Sequence, residues 1–292
     1  MGTRVTAPSV RACKVARGSA PLVMVTAYDA PTARMVDDAG VDLLLVGDSV
    51  AMVVLGHDDT LSVTVDEMAH HTAAVARTSP RAMVVSDLPW LSYHLSTEDT
   101  VRNAAKLIRA GAAAVKLEGG RRRVPMVEAL LDAEIPVMGH LGLTPQSVHA
   151  LGGFKVQAKE AAAAHALVED AVALADAGVF GIVLEAVPDT VARMVTETVP
   201  VPTIGIGAGI HCDGQVLVLH DVLGMQDRLL PKFVRAYGTL KADGVAGLAA
   251  FAADVRSGAF PGPAETYHLS ADVEAELEAE IEGLYGGGIL SA

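Results

Sequence analysis

Short apolar runs recur along the chain at Leu22 to Thr26, Asp42 to Val46, Ala82 to Val85, Ala113 to Leu117, Pro136 to Met138, Gly181 to Leu184, Thr203 to Ile206 and Gln215 to Leu219. Between them lie segments whose apolar positions repeat with helical period, among them Thr64 to Arg77, Glu98 to Ala110, Val124 to Ala133, Ala158 to Ala177 and Asp189 to Thr198. The runs have strand length, and Gly111 stands just past a helical segment, where a left-handed cap is expected. Eight strands alternating with helices over about 220 residues predict a single (β/α)8 TIM barrel, a fold of typically about 250 residues. A doubly wound open sheet is the alternative reading of the same alternation.

No linker or internal repeat splits the chain. Residues 1–20 read as an N-terminal segment, 21–258 as the barrel with C-terminal helices (Lys232 to Arg256), and 259–292 as an acidic tail that begins near Phe260-Pro-Gly-Pro. The tail holds Glu265, Asp272, Glu274, Glu276, Glu278, Glu280 and Glu282 and no Lys or Arg. In its Ser270 to Tyr285 stretch, Val273, Leu277, Ile281 and Leu284 form a narrow apolar stripe behind a solvated face, which suits a docking helix rather than chemistry.

Composition narrows the classes. Of 292 residues 51% are hydrophobic, yet only one Trp, five Tyr and five Phe are present. The core must therefore be aliphatic, as it is under parallel strands. A formal charge of −13 repels phosphate backbones, so no nucleic-acid partner is expected. No stretch approaches the roughly 18 to 20 apolar residues that span a bilayer, so none is expected with membranes. Cys13 and Cys212 fit neither a disulfide framework nor a zinc spacing, which points to a reducing, cytoplasmic setting. Outer helices rich in Ala and Val predict subunit contacts that cover them in a homo-oligomer.

The chemistry stands immediately after the runs: Asp29, Asp48, Asp87, Glu118, His140 and Glu185 follow the first six in order. In a barrel these are the C-terminal strand ends, where barrel active sites lie. One such acid alone reads as a helix cap or turn former, but five carboxylates and a His in register read as a site. Carboxylates sharing a cavity need a cation or shared protons, and oxygen ligands with one His and no Cys favour a hard ion, Mg²⁺ or Mn²⁺. Lys116 shares the inward face with Glu118, so its ammonium either holds a substrate carboxylate or neutralises the acids. Glu185 has apolar neighbours and no local cation, a setting for a general base, with His140 as the competing base. Gly205-Ile-Gly-Ala-Gly is misspaced for dinucleotide binding and reads as a tight turn or a close approach to a flat ligand. His57, His70 and His71 read as surface or core residues, and Arg121 to Arg123 as a solvated loop and helix start, with contact to an anionic ligand tail as the alternative.

At these residues the sequence resembles the ketopantoate hydroxymethyltransferase family, from about Val23 to Pro263. The resemblance rests on Thr-Ala-Tyr-Asp at 26–29, Val-Gly-Asp-Ser at 46–49, Gly-His-Asp at 56–58, Ser-Asp-Leu-Pro at 86–89 and Val-Lys-Leu-Glu-Gly-Gly at 115–120. It continues through Gly-His-Leu-Gly-Leu-Thr-Pro-Gln-Ser at 139–147, Gly-Gly-Phe-Lys-Val-Gln at 152–157, Leu-Glu-Ala-Val-Pro at 184–188 and Ile-Gly-Ile-Gly-Ala-Gly at 204–209. Ala51, the Arg121 to Arg123 run and the acidic tail depart from the family pattern, away from the reacting centre.

The resemblance implies a Mg²⁺-dependent barrel, usually a decamer. Such an enzyme transfers a hydroxymethyl group from 5,10-methylenetetrahydrofolate to 3-methyl-2-oxobutanoate, giving 2-dehydropantoate. It further implies Asp48 and Asp87 as metal ligands, Glu118 as a ligand directly or through water, Ser49 and Lys116 as holders of the keto acid with His140 beside them, and Glu185 as the base. A 2-oxo acid chelates Mg²⁺ through its keto and carboxylate oxygens, which would stabilise the enolate. The Gly-rich Leu141 to Gln157 stretch reads as a lid that excludes water. The rival readings are a metal-dependent barrel lyase of 2-oxo or hydroxy acids, and a non-catalytic metabolite-binding protein.

Overall fold

The computed structural model describes residues 3–153, 155–226 and 230–285. Gly2, Phe154 and residues 286–292, which the sequence assigns to the N-terminal segment, the lid and the tail, lie outside them. Strands β1 (Leu22–Thr26), β2 (Leu43–Val46), β3 (Met83–Asp87), β4 (Ala114–Glu118), β5 (Val137–Gly142), β6 (Gly181–Glu185), β7 (Thr203–Ile206) and β8 (Gly214–Leu217) form a closed barrel in sequence order. All pairs are parallel and β8 closes on β1, so the open-sheet alternative is excluded. Around them run α1 (Ala30–Asp38), α2 (Val65–Ala76), α3 (Thr97–Arg109), α4 (Val124–Asp132), α5 (Ala161–Ala177) and α6 (Asp189–Thr198).

Local chemistry sets the helix starts. Thr64 and Glu67 cap α2 reciprocally, and the Ser96 hydroxyl accepts the Asp99 amide at the head of α3. Two buried layers follow from strand alternation. One face of the strands meets the helices, as Leu44, Val84, Val115 and Ile182 do. The other fills the barrel interior with Leu22, Met24, Leu43, Met83, Met138 and Ile204, and Ala7 and Val10 of the short helix Ala7–Arg11 join this inner cluster.

The chain divides into two compact units, Met1–Gly238 and Thr239–Ala292. This differs from the boundary at 258 read from the sequence. The helix α7 (Leu240–Ser257), counted there with the barrel, buries none of its residues and belongs to the second unit with α8 (Ala271–Tyr285). No helix among the described residues is long and apolar enough to cross a membrane.

Candidate active site

The strand ends converge as the sequence predicts. β3, β4 and β6 finish on Asp87, Glu118 and Glu185, and the turn after β2 carries Asp48 and Ser49. β5 runs on to Gly142, so His140 lies inside the strand rather than after it. Asp48, Ser49, Asp87, Lys116, Glu118, His140 and Glu185 all line one cavity of about 920 Å³. Asp29 does not join them: its carboxylate caps α1, accepting the Thr32 amide at 2.8 Å, which is the ordinary fate of an acid after a strand.

The site is a buried charge cluster. Lys116 Nζ stands 3.0 Å from Asp87 Oδ1 and 3.4 Å from His140 Nδ1, and the Asp48 amide donates to Asp87 Oδ2 at 3.1 Å. His140 Nδ1 is 3.2 Å from Glu118 Oε1, and its Nε2 is 3.2 Å from Glu185 Oε2. The second approach is ionic, since Nε2 finds no aligned hydrogen-bond acceptor among the described residues. Burial and Lys116 oppose a charged His140, but its two carboxylate neighbours outweigh them and push it up to about 9. The expectation that Glu185 lacks a nearby cation is thereby corrected: topology brings His140 from the adjacent strand, which local sequence does not show.

Burial, then Asp87 and Glu118, hold Asp48 well above the usual carboxylate range. Burial also raises Asp87, against the pull of Lys116. Burial would lower Lys116, yet Asp87, Glu118 and Asp48 raise it, so it stays an ammonium. Fully ionised, the four acids would exceed the ammonium and the imidazolium by two charges; the raised Asp48 and Asp87 register that crowding, which a divalent cation would relieve. Asp87 Oδ1, though near Lys116, is a buried oxygen without an aligned hydrogen bond. These donors fit a hard divalent ion. Among the described residues no three His, Cys, Asp or Glu side chains form a ready cage. Mg²⁺ does not require one, because it takes one or two carboxylates and completes its shell with water and substrate oxygens.

Three further side chains shape the site. Tyr28 and Ser49 share a 2.8 Å hydrogen bond between hydroxyls. Gln146 Nε2 donates to Asp48 Oδ2 at 2.8 Å and to the Leu88 carbonyl at 2.9 Å, and its backbone N–H donates to Glu118 Oε2 at 3.1 Å. Tyr93 donates to Gln146 Oε1 at 2.6 Å and accepts the Glu118 N–H at 3.2 Å. Gln146 stands within the motif 139–147, but an amide neither titrates nor matches a ligand pattern, and nothing local marks Tyr93.

Backbone geometry frames Glu185. Gly142 has φ +94°, and a Cβ there would come within 2.3 Å of the Glu185 carbonyl oxygen, so only glycine lets β5 approach the base. Ala186, next to Glu185, holds a left-handed φ of +47°, pinned by hydrogen bonds to Ile206 and Gln157. In the Gly-rich segment after β7, Gly207 has φ +65° and a Cβ there would come within 2.7 Å of the Phe233 ring. The close approach is thus to the chain's own flat side chain.

Comparison with known proteins agrees with this geometry. Residues 4–263 match the family model described as ketopantoate hydroxymethyltransferase. A 3-methyl-2-oxobutanoate hydroxymethyltransferase of Syntrophobacter fumaroxidans is 56% identical over 286 residues, covering 97% of this chain and 99% of the relative. One from Methylobacterium sp. (strain 4-46) is 58% identical over 261 residues, 88% of this chain and 89% of the relative. Among solved structures, a phosphoenolpyruvate phosphomutase from Streptomyces platensis subsp. rosaceus aligns with TM-score 0.58 at 16% identity, over 96% of this chain and 99% of that one. A phosphonopyruvate hydrolase in complex with oxalate and Mg²⁺ aligns with TM-score 0.57 at 12% identity, over 96% and 99%. These structural likenesses carry the barrel fold.

Proposed function

Since the chain belongs to the ketopantoate hydroxymethyltransferase family, we propose how its own residues carry out the transfer. It is a hydroxymethyltransferase that moves a one-carbon unit from 5,10-methylenetetrahydrofolate to 3-methyl-2-oxobutanoate, forming 2-dehydropantoate. Asp48 and Asp87 would hold Mg²⁺, with Glu118 as a ligand directly or through water. When bound, the ion supplies Lewis-acid charge at the oxygens of the 2-oxo acid. Lys116 and Ser49 bind the keto acid, the ammonium taking its carboxylate.

Glu185 takes the C3 proton, and the electron pair of that C–H bond becomes the enolate. The nucleophilic C3 then forms the new C–C bond to the donor's one-carbon unit. Water supplies the hydroxyl oxygen as the two C–N bonds of the donor's one-carbon unit break, and the proton held by Glu185 and one from water end on the two nitrogens of the departing tetrahydrofolate. The observation that carries the assignment is the His140–Glu185 pair: His140 lies 3.2 Å from both Glu118 and Glu185, whose carboxylates favour its charged form, so it is the poorer proton acceptor of the two. His140 orients and neutralises, and the base is the carboxylate beside it. The cavity is much larger than a five-carbon acid, and Val187, Ile206, Val218 and Phe233 among its lining give the donor an apolar seat. Free Cys13 and Cys212 fit a cytoplasmic home, and a homo-oligomer, a decamer on the family resemblance, completes the reading.

Enolisation needs no one-carbon donor, which provides the test. In deuterated water with Mg²⁺, the wild type should exchange the C3 proton of 3-methyl-2-oxobutanoate without folate. Glu185→Gln should still bind the keto acid but exchange it at least about 10²-fold slower, the usual contribution of a positioned base. Wild-type exchange in Glu185→Gln, with exchange lost in His140→Gln, would transfer the role to His140. A coupled assay of tetrahydrofolate release separates the transferase from a lyase or a binding protein.

A further inference from the structure

We propose that Tyr93 and Gln146 are positioning residues that fix the directions of the Asp48 and Glu118 carboxylates and so set the site's affinity for its divalent cation. The inference deepens the reading above and rests on its metal assignment. The hydrogen bonds leave these two side chains one arrangement. The Asp48 carboxylate and the Leu88 carbonyl only accept, so the end of the Gln146 amide that faces both, at 2.8 and 2.9 Å, must be Nε2, and both its hydrogens are used. Oε1 then needs a donor, and the Tyr93 hydroxyl supplies it at 2.6 Å. That hydroxyl is itself oriented by the Glu118 N–H, which donates to it at 3.2 Å.

The circuit begins and ends on Glu118, because the Gln146 backbone N–H returns to Glu118 Oε2 at 3.1 Å. Turning the amide over would aim Oε1 at two acceptors. Tyr93 and Gln146 are 1% and 5% exposed, so no bulk solvent stands ready to replace a lost partner. Burial also keeps the Tyr93 hydroxyl protonated, since its pKa lies well above the ordinary value. The Arg123 guanidinium lies over the Tyr93 ring, 5.3 Å from its centroid, and adds a cation–π contact to it.

This network occupies one oxygen of each carboxylate. Glu118 Oε1 faces His140, while Asp48 Oδ1 has no hydrogen bond or ion pair among the described residues. Asp48 is thus held by one oxygen with the other left open, which is how partners behind a metal ligand fix its orientation. Gln146 also belongs to the segment after β5, in the turn Pro145–Ser147, and the same segment lends Lys155 and Val156 to the cavity wall. Seating this segment and aiming the two acids therefore share one residue.

The test is titration calorimetry with Mg²⁺, and with Mn²⁺ as a second probe, on the full chain, alongside kcat, KM and thermal midpoint. Tyr93→Phe removes only the oxygen that orients the amide, and Gln146→Glu puts an acceptor opposite Asp48. Each should weaken divalent-ion binding by roughly 10- to 100-fold, the usual effect of such partners. In Tyr93→Phe, saturating Mg²⁺ should restore most of kcat. A merely structural role would lower the midpoint and leave ion affinity within twofold of wild type, and that result overturns the proposal. If Gln146→Glu does not fold, Tyr93→Phe alone decides. Wild type that binds neither ion would overturn the metal reading itself, a failure distinct from unchanged affinity in the variants.

Discussion

Two buried lysine–aspartate pairs sit in the barrel unit, and their surroundings differ. Lys14 Nζ meets Asp213 Oδ2 at 2.9 Å and also donates to the Thr196 and Val201 carbonyls. Asp213 in turn accepts the backbone N–H groups of Val15 and Thr203, one on each oxygen. Every charge there has a partner, and the pair stitches the N-terminal segment to β7 and the turn before β8. Lys116 and Asp87 are equally buried and nearly as close, at 3.0 Å. Around them, however, Asp48, Glu118 and Glu185 add negative charge that His140 only partly offsets. The first pair is electrostatically closed; the second leaves an excess of charge facing a cavity, and that excess, not the ion pair, marks the functional end.

The contrast is broken most forcefully by neutralising one acid in each. Asp213→Asn leaves the Lys14 ammonium buried without its counter-charge, and the loss should be about 3–5 kcal/mol of stability. Asp48→Asn removes a repelled carboxylate, so without metal the protein should melt no lower than wild type while losing most of its Mg²⁺ affinity. Denaturation curves in chelator and a Mg²⁺ titration check both. Equal destabilisation by the two substitutions would mean that the excess charge at the cavity is not real.

That difference was only partly legible in the sequence. Asp48, Asp87, Glu118 and Glu185 could be read because a parallel barrel places each strand's C-terminal end on one face, so order along the chain translates directly into position. The pairing of His140 with Glu185 depends on which strands are neighbours and on the extension of β5 to Gly142, neither of which a local apolar run shows. Lys14 and Asp213, far apart in the chain, carry no motif at all. Gln146 and Tyr93 escaped for a related reason: their work is to orient other groups, and residue type alone does not reveal orientation. Asp29 looked like the other acids but turned to its own helix.

A smaller effect separates the two ends by pH. His140 is raised to about 9 from an ordinary value near 6.5, and Asp48 and Asp87 are raised from theirs. A raised group contributes stability that is complete below its unfolded pKa and is lost as pH rises through its folded one. In chelator, the thermal midpoint should therefore fall between about pH 6.5 and pH 9, by roughly 2–4 °C for each kcal/mol of coupling lost. Mg²⁺ should offset the fall most at the alkaline end, and His140→Gln should flatten it. A midpoint that climbs over this range in chelator would contradict the charge assignment of His140.

The smallest effect is expected from the acidic helix. The described residues lining the cavity extend no further along the chain than Phe233, and the family match ends at residue 263. Glu274, Glu276, Glu278, Glu280 and Glu282 lie on α8, which buries no residue, so none is a desolvated acid of the kind that crowds Asp48. Exposed carboxylates are screened by salt, unlike the buried acids around Asp48. Removing residues 270–292 should therefore leave kcat, the KM for the keto acid and Mg²⁺ affinity within about twofold of wild type, against the orders of magnitude expected at Glu185. Steady-state kinetics and a Mg²⁺ titration of the truncated chain measure this. A loss of Mg²⁺ affinity on truncation would show that acids outside the barrel unit tune its charge excess, and the comparison of its two ends would have to include them.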